Sequence, residues 1–125
     1  MLLKSLQSTD SPLKQATLDT FSLMVHESPS IITQHIFTVI NCLISLFAPS
    51  NSNSALTGND PHVRVKALHL MGTLPGKIEF SVLVPYKKIV LDSLLKSLDD
   101  HKRVVRREAA NTRGKWFLLL SQTDE

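Results

Sequence analysis

In Asp99-Asp100-His101-Lys102-Arg103-Val104-Val105-Arg106-Arg107-Glu108-Ala109-Ala110-Asn111-Thr112-Arg113-Gly114-Lys115-Trp116-Phe117-Leu118-Leu119-Leu120, the residues Val105, Ala109, Thr112, Trp116 and Leu119 recur at helical spacing. The two aspartates before them suit a helix N-cap and the positive end of a helix dipole. The stretch reads as one amphipathic helix. Its other side carries Lys102, Arg103, Arg106, Arg107 and Arg113, so a basic surface runs beside the apolar seam. Gly114 weakens the helix without necessarily ending it.

The same order of residues, an acidic or proline-containing turn, then an apolar residue beside a basic one, then alanine or threonine, occurs twice more. Asp60-Pro61-His62-Val63-Arg64-Val65-Lys66-Ala67 matches it clearly, and Asp10-Ser11-Pro12-Leu13-Lys14-Gln15-Ala16-Thr17 loosely. Aligning Leu13, Val63 and Val105 gives steps of 50 and 42 residues (63 minus 13, 105 minus 63). The second step falls within the HEAT and armadillo period, and a Ser/Asn-rich loop lengthens the first. The chain is therefore expected to be all-α, a HEAT-repeat α-solenoid of stacked antiparallel helix pairs with about two and a half to three repeats. In such a stack Arg64 and Arg106, at equivalent positions, should tie neighbouring repeats through aspartate or backbone carbonyl contacts.

Residues 1–125 make about one domain, but solenoid repeats rest on their neighbours, so the chain is expected to be a piece of a longer array. Met1-Leu2-Leu3-Lys4-Ser5-Leu6-Gln7 reads as the last turns of a helix whose start is missing, and nothing there has the pattern of an export signal. The most apolar run, Ile31 to Ala48, is interrupted by Thr33, Gln34, His35, Thr38, Asn41 and Ser45, which suits a packing helix and not a membrane span. Cys42 is the single cysteine, which excludes an internal disulfide and a multi-thiolate metal site made by this chain alone. It suits a reducing compartment. The net charge is only +3, yet six of the fourteen Lys/Arg residues lie between Lys102 and Lys115, so the charge is local.

Ser11-Pro12 starts a helix to about Glu27 with Leu13, Thr17, Phe21 and Met24 inward, and Ser28-Pro29-Ser30 turns tightly into an antiparallel helix over 30–48. That second helix has Ile32, Ile36, Val39, Leu43, Leu46 and Phe47 on one stripe. Residues 49–59 have the composition of a flexible loop, with a functional insertion as the alternative. Asp60-Pro61 restarts a helix with Val63, Ala67, Leu70 and Leu74 inward, which Pro75-Gly76 should stop. Lys77 to Leu83 reads as an irregular connector despite its strand-like composition. Pro85 to Leu98 should be helical with Leu91, Leu94, Leu95 and Leu98 inward, and the tail from Ser121 should fray.

No metal, cofactor or catalytic constellation is legible. His26, His35, His62, His69 and His101 include no pair at i, i+3 or i+4, and none of the four glycines falls in a phosphate-loop spacing. The one sharp feature is the basic stripe. At about 100° per residue, Lys102, Arg106 and Arg113 fall within an arc of roughly 40°, with Arg103 and Arg107 further round and Phe117 and Leu120 on the same side. Arginine beside an aromatic is the composition of an interface hot spot. The alternative is a solvated cap of the array, with Phe117 and Leu120 covered by the tail. A nucleic-acid binder is the rival class, but about five charges on one helix would meet phosphates in a weak, salt-sensitive and sequence-blind way. Trp116, in the seam, is expected to serve packing.

The end of the chain also resembles a known family. Asp99-Asp100-x-Lys102-Arg103-x-Val105-Arg106-x-Glu108-Ala109-x-x-x-Arg113-x-x-Trp116-Phe117-Leu118 is similar to the C-terminal end of the large HEAT-repeat adaptor of the cytosolic iron–sulfur protein assembly (CIA) machinery, the family named for sensitivity to methyl methanesulfonate. The resemblance covers the last 25 residues well and the remainder more weakly. It implies a non-enzymatic scaffold, cytoplasmic and nuclear, without a cofactor of its own. Such a scaffold docks a small CIA adaptor subunit and, through it, a WD40 propeller protein, and helps deliver clusters to apo-clients of the helicase, primase and polymerase type. On that reading Lys102, Arg103, Arg106, Arg107, Arg113 and Phe117 are the candidate protein-binding residues. A generic HEAT scaffold or transport adaptor would share every feature except the C-terminal signature.

Overall fold

A computed structural model describes residues 11–47 and 60–123, with side chains over 13–47 and 60–118. The expected first helix and the loop at 49–59 lie outside the described residues. The elements are α1 (Ser11–Glu27), α2 (Pro29–Gln34), α3 (Ile36–Phe47), α4 (Pro61–Lys77), α5 (Phe80–Leu83), a 3₁₀ turn (Val84–Tyr86), α6 (Lys87–Ser97) and α7 (Arg103–Thr123). No strand occurs among the described residues. The fold is an all-α solenoid. Helices α1, α4 and α7 lie side by side in one layer, α3 and α6 in the other, and the α4–α7 contact is the most extensive.

The repeat seen in the sequence is the repeat of the packing. Val63, Ala67, Leu70 and Leu74 of α4 and, 42 residues on (105 minus 63), Val105, Ala109, Thr112 and Trp116 of α7 are all buried. Each burial of a large apolar side chain contributes about 1.5–3 kcal/mol. The hydroxyl of Thr112 donates to the Leu68 carbonyl at 2.8 Å and the Trp116 indole N–H to the Met71 carbonyl at 3.0 Å. Partner numbers rise together, so α4 and α7 run in the same direction. In the other layer Ser97 Oγ reaches the Phe47 carbonyl at 3.4 Å across 50 residues, the longer step.

Several expectations are corrected. In α1 the buried face is Thr17, Leu18, Phe21 and Val25, while Leu13 is exposed and Met24 half-buried. The helix expected over 30–48 divides into α2 and α3 at His35, whose φ of −118° and ψ of 25° leave the helical region. The hydroxyl of Thr33 donates to the Pro29 carbonyl at 3.0 Å and the His35 N–H goes to Ile32, so this turn is bonded irregularly. The apolar stripe of the expected helix survives the break, with Ile32, Ile36, Val39, Leu43, Leu46 and Phe47 all buried.

Pro75-Gly76 does not stop α4, which continues to Lys77 before Ile78 turns extended. Proline removes the N–H that would have gone to the carbonyl four residues back, here Met71. That carbonyl receives the Trp116 indole instead, so the next repeat supplies the missing donor. The expected connector at 77–83 contains the short helix α5, and in α6 the inward residues are Val90, Leu94 and Ser97, with Leu95 exposed and Leu91 and Leu98 half-buried. Helix α7 continues through Ser121 to Thr123 and passes Gly114 without interruption.

Candidate protein-binding site

Helix α7 has two flanks, and α4 covers one of them. Glu108 lies with Oε2 3.7 Å from His69 Nδ1, and a Cβ built on Gly72 would come 3.4 Å from Lys115 Cδ, so Glu108 and Lys115 face α4. At about 100° per residue, Arg106, Arg113 and Phe117 project from the opposite flank, with Lys102 just ahead of the helix. The basic stripe therefore occupies the edge of the layer that points away from the preceding repeats.

The stripe is not uniform. The Arg113 guanidinium carbon stands 4.5 Å above the centre of the Phe117 ring, a cation–π pair with Arg113 half-buried and Phe117 still 42% exposed. Phe117 is open among the described residues, while the side chain of Leu120 and the tail lie outside them. Arg103 and Arg107 are exposed and form no hydrogen bond or ion pair among the described residues. Lys102 precedes the first residue of α7, and its backbone N–H donates to Asp100 Oδ1 at 2.9 Å. The expected N-cap aspartate thus sits one turn earlier, capping the turn that leads into the helix.

Arg106 has an architectural task as well. Its Nη1 donates to the carbonyls of Asp100 at 2.8 Å and His101 at 3.1 Å, clamping the α6–α7 turn. Arg64, its equivalent in α4, reaches forward to the next repeat. Its Nη2 donates to Asp100 Oδ1 at 3.0 Å and its Nε lies 2.8 Å from Oδ2, with the Asp100 side chain only 3% exposed. Arg64 ties neighbouring repeats, as its repeat position leads one to expect, whereas Arg106 holds the turn of its own repeat and reaches no other repeat among the described residues. Missed at the sequence level were Asp100 as their common anchor and Gly114, where an added Cβ would meet nothing within 4 Å. Comparing Gly114 with Gly72, 42 residues earlier, is the signal that could have found the latter.

On the flank of α7 that faces α4, an open groove of about 470 Å³ is bordered by His26, His69, Pro75, Lys77, Lys115 and Leu118. Among the described residues no group of three or more His, Cys, Asp or Glu side chains could hold a metal ion, and no helix is long and apolar enough to cross a membrane. Burial raises the pKa of the Cys42 thiol. The surface offers cations, an aromatic ring and helix edges, which is the chemistry of recognition.

The family profile described as "RNAPII transcription regulator C-terminal" matches residues 1–75. Among curated proteins, the chain is 39% identical over 119 residues to the mouse MMS19 nucleotide excision repair protein homolog and 36% identical over 119 residues to the human one, in both cases across 95% of this chain. It is 35% identical over 118 residues, 94% of this chain, to the DNA repair/transcription protein mms19 of Schizosaccharomyces pombe. The chain spans 11% of the length of each of these relatives.

Proposed function

The chain belongs to the MMS19 family, whose C-terminal region its residues 1–75 match, and from that premise we propose that it is a non-enzymatic docking scaffold acting in DNA repair and transcription. It receives a small adaptor subunit of the cytosolic iron–sulfur assembly machinery on the outer edge of α7. The adaptor in turn joins a WD40 propeller protein, and the assembly delivers clusters to apo-clients of the helicase, primase and polymerase type, in cytoplasm and nucleus. The observation carrying this reading is the Arg113–Phe117 pair, half open on the outer edge of the last described helix, on which Arg103 and Arg107 are also exposed nearer its start.

Arginine and aromatic side chains of this kind dominate interface energetics, and rim charges set the rate and salt dependence of encounter. The test avoids Arg106, whose loss would disturb the α6–α7 turn. Arg103→Glu with Arg107→Glu, and separately Phe117→Ala, should each greatly reduce co-purification of the small adaptor while leaving the helical content intact. Undiminished recovery of the adaptor with both variants rejects the placement.

A further inference from the structure

The outer edge of α7 repeats, at two positions, the edge of α4 on which α7 itself is seated, while Met71 and Pro75 of that α4 edge give way to Arg113 and Phe117. The 42-residue register that superimposes the two buried seams (105 minus 63) places Arg106 on Arg64 and Gly114 on Gly72. In α4, Arg64 holds the buried carboxylate of Asp100 in the turn that introduces α7. Gly72 lets α7 approach so closely that an added Cβ would lie 3.1 Å from Thr112 Oγ1. In α7 both features are present without their counterparts among the described residues. Only Nη1 of Arg106 is engaged, leaving Nε and Nη2, the two atoms with which Arg64 grips Asp100, without a hydrogen bond among the described residues. A Cβ added at Gly114 would meet nothing within 4 Å among the described residues.

The opposite flank obeys the same register and shows that it is physical. Lys66 reaches back to Asp19 of α1 at 2.6 Å, and Glu108, 42 residues on, faces back to His69 of α4 at 3.7 Å. Among the described residues, backward contacts are met in both helices and the forward ones in α4 alone.

We propose that the partner of this edge is a helix introduced by an acidic turn, seated on α7 as α7 is seated on α4. An aspartate or glutamate of that turn takes the Nε/Nη2 side of Arg106 in a forked pair, and a small or hydroxyl side chain packs over Gly114. This rests on the docking reading above and names the chemistry of the occupant. The arginine is already oriented by its turn contacts, so little ordering cost attaches to the new pair.

The probe is the purified small adaptor, titrated into the full chain by calorimetry. Gly114→Ala should preserve or raise the unfolding midpoint, since alanine favours a helix interior, and yet weaken adaptor binding about tenfold or more by overpacking the seat. Arg106→Lys, which keeps a cationic donor for the turn carbonyls but loses the fork, should weaken it to a similar degree with the helical content intact, and in a Lys102→Arg background it should let a carbodiimide couple the introduced amine to an aspartate or glutamate at the start of an adaptor helix. Unchanged affinity for both Gly114→Ala and Arg106→Lys, or coupling only to a carboxylate outside any helix start, overturns the inference while Phe117→Ala still loosens the adaptor and the docking reading stands. An adaptor that does not bind even the unaltered chain removes both.

Discussion

Trp116→Phe tests the idea that one repeat completes the hydrogen bonding of the one before it. The Trp116 side chain is fully buried and its indole N–H donates at 3.0 Å to the Met71 carbonyl, which Pro75 cannot serve. Replacing the indole by a phenyl ring leaves that carbonyl buried without a donor, at about 1–3 kcal/mol. The lost ring volume adds about 1–2 kcal/mol by scaling down the cost of truncating a buried tryptophan. The expected total is about 2–5 kcal/mol. Pro75→Ala restores a backbone N–H aimed at the same carbonyl, so in that background Trp116→Phe should cost only the packing part. The double-mutant cycle should then show a coupling of about 1–3 kcal/mol. Urea unfolding followed by far-ultraviolet circular dichroism is the assay, because Trp116 is the only tryptophan and fluorescence would vanish with it. Equal costs in the two backgrounds would falsify the shared-donor account, since the proline and the indole would then be independent.

Gly72→Ala should lower stability by about 1–3 kcal/mol in thermal melts, because its Cβ would come 3.1 Å from Thr112 Oγ1 and force α7 outward; a gain of stability would show that the two helices yield freely. Arg64→Ala should cost about 3–5 kcal/mol by leaving Asp100 buried without its cation, and Arg64→Met combined with Asp100→Asn should recover most of that, as an uncharged pair needs no such partner. Recovery absent in urea titrations would mean the charge itself is needed. Cys42 has its pKa raised by burial, which withholds the reactive thiolate at a given pH. The rate of alkylation by iodoacetamide should therefore rise at higher pH in the native chain than in the chain unfolded in urea, and superimposable profiles would contradict the burial effect.

The parts of the fold legible in the sequence were those set by periodicity. Val63, Ala67, Leu70 and Leu74, and their successors Val105, Ala109, Thr112 and Trp116, are spaced as a helix seam must be, and all of them are buried. The tie made by Arg64 followed from its place in the repeat. What sequence could not show were effects arising between elements. Pro75 ought to end a helix by local rules, and it fails to do so because Trp116, 41 residues away (116 minus 75), serves the stranded carbonyl. Leu13 and Leu95 looked inward on a wheel, but Leu18, Val25 and Val90 meet the neighbouring helices instead. The candidate site was legible as a set of charges and not as an edge, because which flank of α7 is free depends on where α4 lies.

Asp100 explains why that edge is a ready template. One oxygen, Oδ1, accepts both the Lys102 N–H at 2.9 Å and Arg64 Nη2 at 3.0 Å, so the turn that starts α7 and the grip of α4 on that turn share an atom. The backbone carbonyl of the same residue accepts Arg106 Nη1. Order therefore passes from Arg64 through Asp100 to Arg106 over adjacent repeats, the nearest-neighbour coupling that makes a solenoid cooperative. An arginine fixed in this way presents its open side at a definite place before any partner arrives. A carboxylate entering there extends a chain of contacts already begun in α4, which is why disturbing Arg64 should weaken binding at an edge it never touches: Arg64→Met with Asp100→Asn, even where stability is recovered, should still loosen the adaptor. Native affinity in that variant would show that Arg106 is held by its own turn alone.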